Sequence, residues 1–240
     1  MKTSILLLAT LLGLLTSCSK SIVDESTASS SSSAITEPGY GNSKGPFNAA
    51  PWKLPSGVQL EDSIHDYSYC WAFPPFTQVS PKDWRGIPVG FTFCLTLKNT
   101  NPVPVIIQFP PELVFTSSSS LHQNVLTIEI GSVELSPGAA KTIVVQGFCI
   151  NEGRKPPQTF DEASGNFLTY TFGPSIIPPP LKEIVDILKA KHIAMSDIVK
   201  ADGTIDNTKI AKYAVIQKAI WEVTDEQGLT ANTKAELLAL

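Results

Sequence analysis

The sequence predicts a β-rich α+β fold: an Ig-like antiparallel β-sandwich over residues 46–175, followed by a small helical subdomain over 176–240 packed upon it. Three observations lead there. Between Gln59 and Ile150 short runs alternate apolar and polar side chains, the period of a strand with two unlike faces. Turn residues punctuate those runs at frequent intervals, as in an all-β sandwich. After Phe172-Gly173-Pro174 the apolar spacing changes to that of a helix face.

The elements follow in order. His65 to Phe73 (HDYSYCWAF) reads as an early strand, and Pro74 to Gly86 as a long loop. Phe91, Phe93, Leu95 and Leu97 alternate with Thr92, Cys94, Thr96 and Lys98, a strand that Asn99-Thr100-Asn101-Pro102 turns. Val103 to Phe109 is the next strand, stopped by Pro110-Pro111; Leu113 to Thr116 is short and β-prone; Ser117 to Ser120 is a polar loop. Val125 to Ile130, Val133 to Leu135 and, beyond the turn Ser136-Pro137-Gly138, Lys141 to Ile150 complete the β region. Pro178-Pro179-Pro180 opens a helix whose Leu181, Ile184, Val185 and Leu188 share one face, with Glu183 and Asp186 early and Lys189 and Lys191 late, matching the helix dipole. A second helix runs from about Thr208 to Gln227, capped by Asp206 or Asn207 and stopped by Gly228; Thr230 to Leu240 is a short last helix. Helices this short need the sheet to be stable in water.

The N-terminus speaks to location. Lys2 precedes Ile5 to Leu15 (ILLLATLLGLL), an uncharged apolar run too short to span a bilayer, which takes roughly 20 residues. A positive start and a short apolar run form an export signal. It closes on Leu15-Thr16-Ser17-Cys18, which resembles the lipobox of bacterial lipoproteins. That resemblance implies cleavage after residue 17, acylation of Cys18 (diacylglyceryl and palmitate chains) and a membrane anchor; Ser19, where inner-membrane retention favours aspartate, points to the outer membrane. Ser26 to Ser33 (STASSSSS) and the polar stretch up to Gly45 cannot bury enough apolar surface to order themselves, so residues 18–45 read as a flexible tether.

The mature chain of about 220 residues can hold one or two domains with a real core. Its formal net charge is −4 and no basic stripe is present, which argues against nucleic acid as a partner. Of 4 cysteines, Cys70, Cys94 and Cys149 lie beyond the anchor in a compartment that permits disulfides. An odd number leaves one over: a Cys70–Cys94 disulfide frees Cys149, while Cys149 pairing with Cys70 or Cys94, or packing as a thiol, remains open.

Few residues suggest catalysis, and no motif implies a cofactor. His65, His122 and His192 lack metal-ligand spacing. Asp202-Gly203-Thr204-Ile205-Asp206 resembles the middle of an EF-hand loop, but Ile198, Lys200 and Lys209 occupy the positions that need oxygen ligands, so a turn and helix cap is expected instead. Cys149, His192 and Asp206 have the chain order of some cysteine hydrolases, without a surrounding signature. Tyr67, Tyr69, Trp71 and Phe73, with Trp52, Phe76 and Trp84 nearby, are core or, if exposed, a stacking surface for a glycan or a protein.

One pair stands out. Phe148-Cys149-Ile150-Asn151 ends the β region, and Gln217-Lys218-Ala219-Ile220-Trp221-Glu222-Val223-Thr224-Asp225 lies in the second helix. The two segments resemble the thioester domains of bacterial surface adhesins, in which a cysteine near a strand and a glutamine in a Gln-x-Ala-Ile-Trp helix are joined; Ile150 departs from the aromatic residue usual there. The layout is also similar to that of uncharacterised exported bacterial proteins. The resemblance implies an internal Cys149–Gln217 thioester, shielded by Phe148, Ile220 and Trp221, that acylates an amine on a partner. The same residues also fit plain core: a buried glutamine bonded to backbone and a packed cysteine. The sequence expectation is therefore a tethered, non-enzymatic binding or adhesion module for a host or cell-surface protein or glycan, with the covalent adhesin and the cysteine hydrolase as alternatives.

Overall fold

A computed structural model describes residues 34–66, 68–69, 83–87, 89–193, 195–198 and 206–240. The signal segment, Cys18 and the serine run to Ser33 lie outside the described residues. So do Tyr67, Cys70, Trp71, Phe73, Phe76 and the EF-hand-like Asp202 to Ile205.

Twelve strands are described: β1 (Val58–Leu60), β2 (His65–Asp66), β3 (Trp84–Arg85), β4 (Phe91–Asn99), β5 (Val105–Gln108), β6 (Glu112–Ser117), β7 (Val125–Ile128), β8 (Ser132–Leu135), β9 (Ala140–Cys149), β10 (Phe160–Asp161), β11 (Asn166–Phe167) and β12 (Tyr170–Phe172). The helices are α1 (Pro179–Lys189), the single turn α2 (Met195–Ile198), α3 (Asn207–Thr224) and α4 (Ala231–Leu238). The fold is thus β-rich α+β. The alternating runs form strands close to their expected bounds, and the helices lie where the change of period placed them. Two places differ: of the early strand only His65–Asp66 extends, with Ser68–Tyr69 already helical, and Trp84–Arg85 of the expected long loop pair with β9 as β3.

The sheet bears out a β-rich, antiparallel fold without confirming the Ig-like sandwich. Eight strands belong to one sheet in the order β1-β4-β9-β7-β6-β12, with β2 on β4 and β3 on β9. All its ladders are antiparallel except β3 with β9. Ile64, just before β2, bridges Tyr170 of β12, whose N–H donates to the Ile64 carbonyl at 2.9 Å. The last strand is thereby drawn round towards the first, and the sheet curls into a half-barrel. Sequence alternation cannot distinguish two facing sheets from one sheet curled on itself, because both bury one side of every strand.

The inner face encloses Phe93, Leu95, Leu97, Leu113, Phe115, Ile143, Val145 and Tyr170. Its aromatic rings interlock: Phe93 stacks on Phe115 at 4.9 Å and meets Tyr170 edge-on at 4.6 Å. The β5–β8 ribbon closes this core with Ile107, Val133 and Leu135. The outer face carries Val114, Leu126, Ile128, Phe148 and Ile150 and is covered by the helices, through Leu181, Ile184, Val185 and Leu188 of α1 and Ile216, Ile220 and Val223 of α3. Burying such a side chain contributes roughly 1.5–3 kcal/mol.

Residues 34–45 differ from the expected tether. Ile35 and Tyr40 are buried in the helical core, and the Ile35 N–H donates to the Val223 carbonyl at 2.8 Å. Tyr40 meets Phe47 edge-on at 4.9 Å. Two apolar side chains in a polar stretch suffice, because neighbouring elements supply the backbone partners. Gly41, with φ +52°, lies so close to α3 that a Cβ there would stand 1.7 Å from the Thr224 carbonyl oxygen.

Candidate functional site

Strand β9 is longer than its neighbours. Strand β4 ends at Phe91, opposite Gly147, so the Cys149 peptide has no strand on that side; the Ile150 N–H donates the other way, to the Asn124 carbonyl at 3.1 Å. The vacated position is taken by Gln217. Its Oε1 accepts from the Cys149 N–H at 2.9 Å and its Nε2 donates to the Cys149 carbonyl at 2.8 Å. A side-chain amide has the donor and acceptor of a peptide group, so Gln217 continues the sheet for one residue. Cys149 is fully buried and Gln217 is 5 % exposed.

Helix α3 places the amide. Asp206 caps it, Oδ1 accepting from the Thr208 N–H at 3.1 Å. Its first half is largely exposed, whereas Ile216 to Thr224, except Lys218, is buried beneath α4 and residues 34–45. Ile216 and Ile220 flank Gln217 on the face towards the sheet. Phe148, Ile220 and Trp221, the residues expected to shield the pair, are each buried. Phe148 and Ile150 project towards the helices; Cys149, between them, projects to the opposite face with Val125, its partner across the ladder.

The cysteine parity expectation changes. Cys94 and Cys149 are both disulfide-bonded. They are not bonded to each other: Cys94 stands opposite Val144, five residues along β9 from Cys149, roughly 16 Å at strand rise and beyond disulfide reach. Cys149 is therefore not left over as a thiol. Cys94 packs with Tyr69 at the β2 edge, where its sulfur approaches the Asp66 carbonyl at 3.8 Å.

The hydrolase arrangement is not assembled. His192 is exposed, whereas Cys149 is fully buried. Asp206 caps the start of α3, eleven residues and about 16 Å of helix from Gln217. Among the described residues, His65 and His122 are buried, and burial pushes both imidazoles below their ordinary pKa.

Asn151 was not assigned a role from sequence, yet it builds the wall beside the pair. Its Oδ1 accepts from the Asn124 N–H at 2.9 Å, and its Nδ2 donates to the carbonyls of Gly39 at 3.0 Å and Gly41 at 2.9 Å. Asn124 Nδ2 also donates to Gly39, at 3.1 Å. The end of β9 is thus closed by Gln217 on one side and by residues 39–41 on another. A polar asparagine directly after an apolar strand was the available signal.

Comparisons with protein families, with curated proteins and with solved structures found no match to the chain.

Proposed function

We propose that the chain is an exported lipoprotein, anchored in the bacterial outer membrane through acylated Cys18, whose folded part is a non-enzymatic binding or adhesion module. The observation that carries this reading is the N-terminal sequence: Lys2, the apolar run Ile5 to Leu15 and the lipobox-like Leu15-Thr16-Ser17-Cys18. The reading is also supported by the use made of the two most chemically suggestive residues. The Cys149 sulfur sits in a disulfide, and the Gln217 amide spends a donor and an acceptor on a strand end. The test is metabolic labelling of the full chain with a palmitate analogue in a Gram-negative host. Label and outer-membrane fractionation that both vanish in Cys18→Ala are expected; label retained by that variant overturns the anchor.

A second reading, the covalent adhesin, starts from the pairing of the Gln217 amide with the Cys149 backbone and requires the Cys149 sulfur to turn towards that amide. In it a dithiol reductant first exchanges with the Cys149 disulfide, leaving the thiols of Cys149 and of its former partner and itself becoming a disulfide. The Cys149 sulfur then attacks the Gln217 side-chain carbonyl; the C–N bond breaks, ammonia leaves with the thiol proton, and a thioester forms. A partner amine attacks in turn, leaving an amide and returning the thiol. Intact mass of the full chain after mild reduction decides between the readings. Loss of one ammonia, reversed by methylamine addition, establishes the thioester; the mass of the reduced, unmodified chain removes it.

A further inference from the structure

Away from the strand-end site, the serine loop after β6 faces the β10–β11 hairpin. Between them lies a cavity of about 490 Å3 lined by Ser118, Ser119, Ser120, Leu121, Asp161, Ser164, Asn166 and Phe167. Backbone hydrogen bonds strap both walls: Ser118 N–H to the Thr169 carbonyl at 2.9 Å, Lys155 N–H to Leu121 at 2.9 Å and Leu168 N–H to Thr159 at 2.9 Å. The walls therefore do not need to be ordered by a ligand.

The chemistry of the lining is selective. Serine hydroxyls, an asparagine amide and one carboxylate line it, and among the described residues no basic side chain does. Asp161 is held by the Ser164 hydroxyl at 2.9 Å and the Ala163 N–H at 3.2 Å, which keep its carboxyl below the usual range. Behind it stands fully buried His122, whose ring nitrogens have no hydrogen-bond partner; Nδ1 lies 4.0 Å from Asp161 Oδ1. Beside the cavity the rings of Phe160 and Phe167 stack at 4.6 Å and remain 49 % and 37 % exposed, with Tyr69 set edge-on behind Phe167 at 4.8 Å. A supported, exposed aromatic surface next to neutral hydroxyl and amide groups suits a ligand with apolar C–H faces and many hydroxyls. An anion would meet the Asp161 carboxylate, while the nearby Lys155 ammonium is already paired with Glu162 at 2.9 Å, and an apolar ligand would leave the serines and Asp161 desolvated.

We propose that this cavity is a binding site for a neutral glycan: a sugar ring stacks on the exposed side of Phe160 while its hydroxyls reach Asn166, Ser120 and the Asp161 carboxylate. The proposal rests on the binding-module reading and names its ligand class. The test is saturation-transfer NMR of the full chain with three neutral oligosaccharide probes, derived from cellulose, chitin and mannan. Phe160→Ala and Asn166→Ala are measured beside wild type, with thermal unfolding as the check on folding; both side chains are exposed. Binding of at least one probe is expected, with affinity about tenfold lower in Phe160→Ala and reduced in Asn166→Ala. No binding of any probe, or binding that neither variant weakens, overturns the proposal. Adhesion of whole cells displaying the lipoprotein, unchanged by Phe160→Ala, would leave the binding-module reading standing while the glycan site falls; loss of surface display in the wild type would instead remove the module reading.

Discussion

The side-chain amide of Gln217 pairs with the backbone of Cys149 through two hydrogen bonds, at 2.9 and 2.8 Å, and so stands in for the strand that β4 does not supply. One helical residue therefore terminates the longest strand of the sheet and fixes α3 against it.

Gln217→Leu leaves the Cys149 N–H and carbonyl buried without partners, at about 1–3 kcal/mol for each group. Gln217→Glu separates hydrogen bonding from size. A protonated carboxyl reproduces the donor and acceptor, whereas the carboxylate opposes the Cys149 carbonyl. The folded pKa of that glutamate then lies above its unfolded value of about 4.3, so the variant is near wild type below that pH and loses stability as pH rises through the folded pKa. Denaturant unfolding across pH checks this; a pH-independent deficit in Gln217→Glu would falsify the pairing.

Asn151→Ala removes the acceptor for the Asn124 N–H and the donors to Gly39 and Gly41. The expected cost is on the order of 1–3 kcal/mol for each buried group left unpaired. Residues 34–45 should become the first site of limited proteolysis, and resistance equal to wild type would count against this role.

Glu222 ties α3 to α4. Its carboxylate accepts from the Thr230 N–H at 2.8 Å, the Thr230 hydroxyl at 3.3 Å and the Thr233 hydroxyl at 2.6 Å, and it is 4 % exposed. Thr230 is also the α4 cap. Glu222→Ala should cost about 2–4 kcal/mol and unprotect α4 amides first in hydrogen exchange, because hydrogen bonds to a charged group are the stronger kind.

His65 and His122 give the fold an acid sensitivity. Burial lowers both pKa values in the folded state, so on acidification the unfolded chain takes up protons first, from about pH 6.5. Stability is present above that pH and is lost as pH falls towards the folded pKa values. The melting temperature should drop across this window, and less steeply in His122→Gln. An equal slope in wild type and variant would show that His122 does not contribute.

Much of the fold was legible in the alternation of Phe91 to Leu97 and in the helical spacing of Leu181 to Leu188, because each pattern records which side of a single element is buried. Segments with weaker patterns were not. Phe160–Asp161 and Asn166–Phe167 are two-residue strands, too short to show a period, and they carry the glycan cavity. The Ser164-Gly165-Asn166 turn, with Gly165 at φ +70°, was the only local sign of that hairpin. Ile35 and Tyr40 were hidden in a polar stretch whose order depends on carbonyls contributed by Val223 and Ile150 and on the side chain of Asn151.

The sequence by itself determined the element types, the two apolar faces to be covered and the expectation of an exported, tethered chain, since these follow from local periodicity and from a contiguous N-terminal signal. Tertiary structure alone decided that eight of the described strands share one curled sheet and that Gln217, 68 residues further along than Cys149, meets its backbone. Those outcomes depend on how separate elements dock. Docking is set by the summed packing of many side chains, such as Ile216 and Ile220 on Phe148 and Ile150, which no local window of sequence contains.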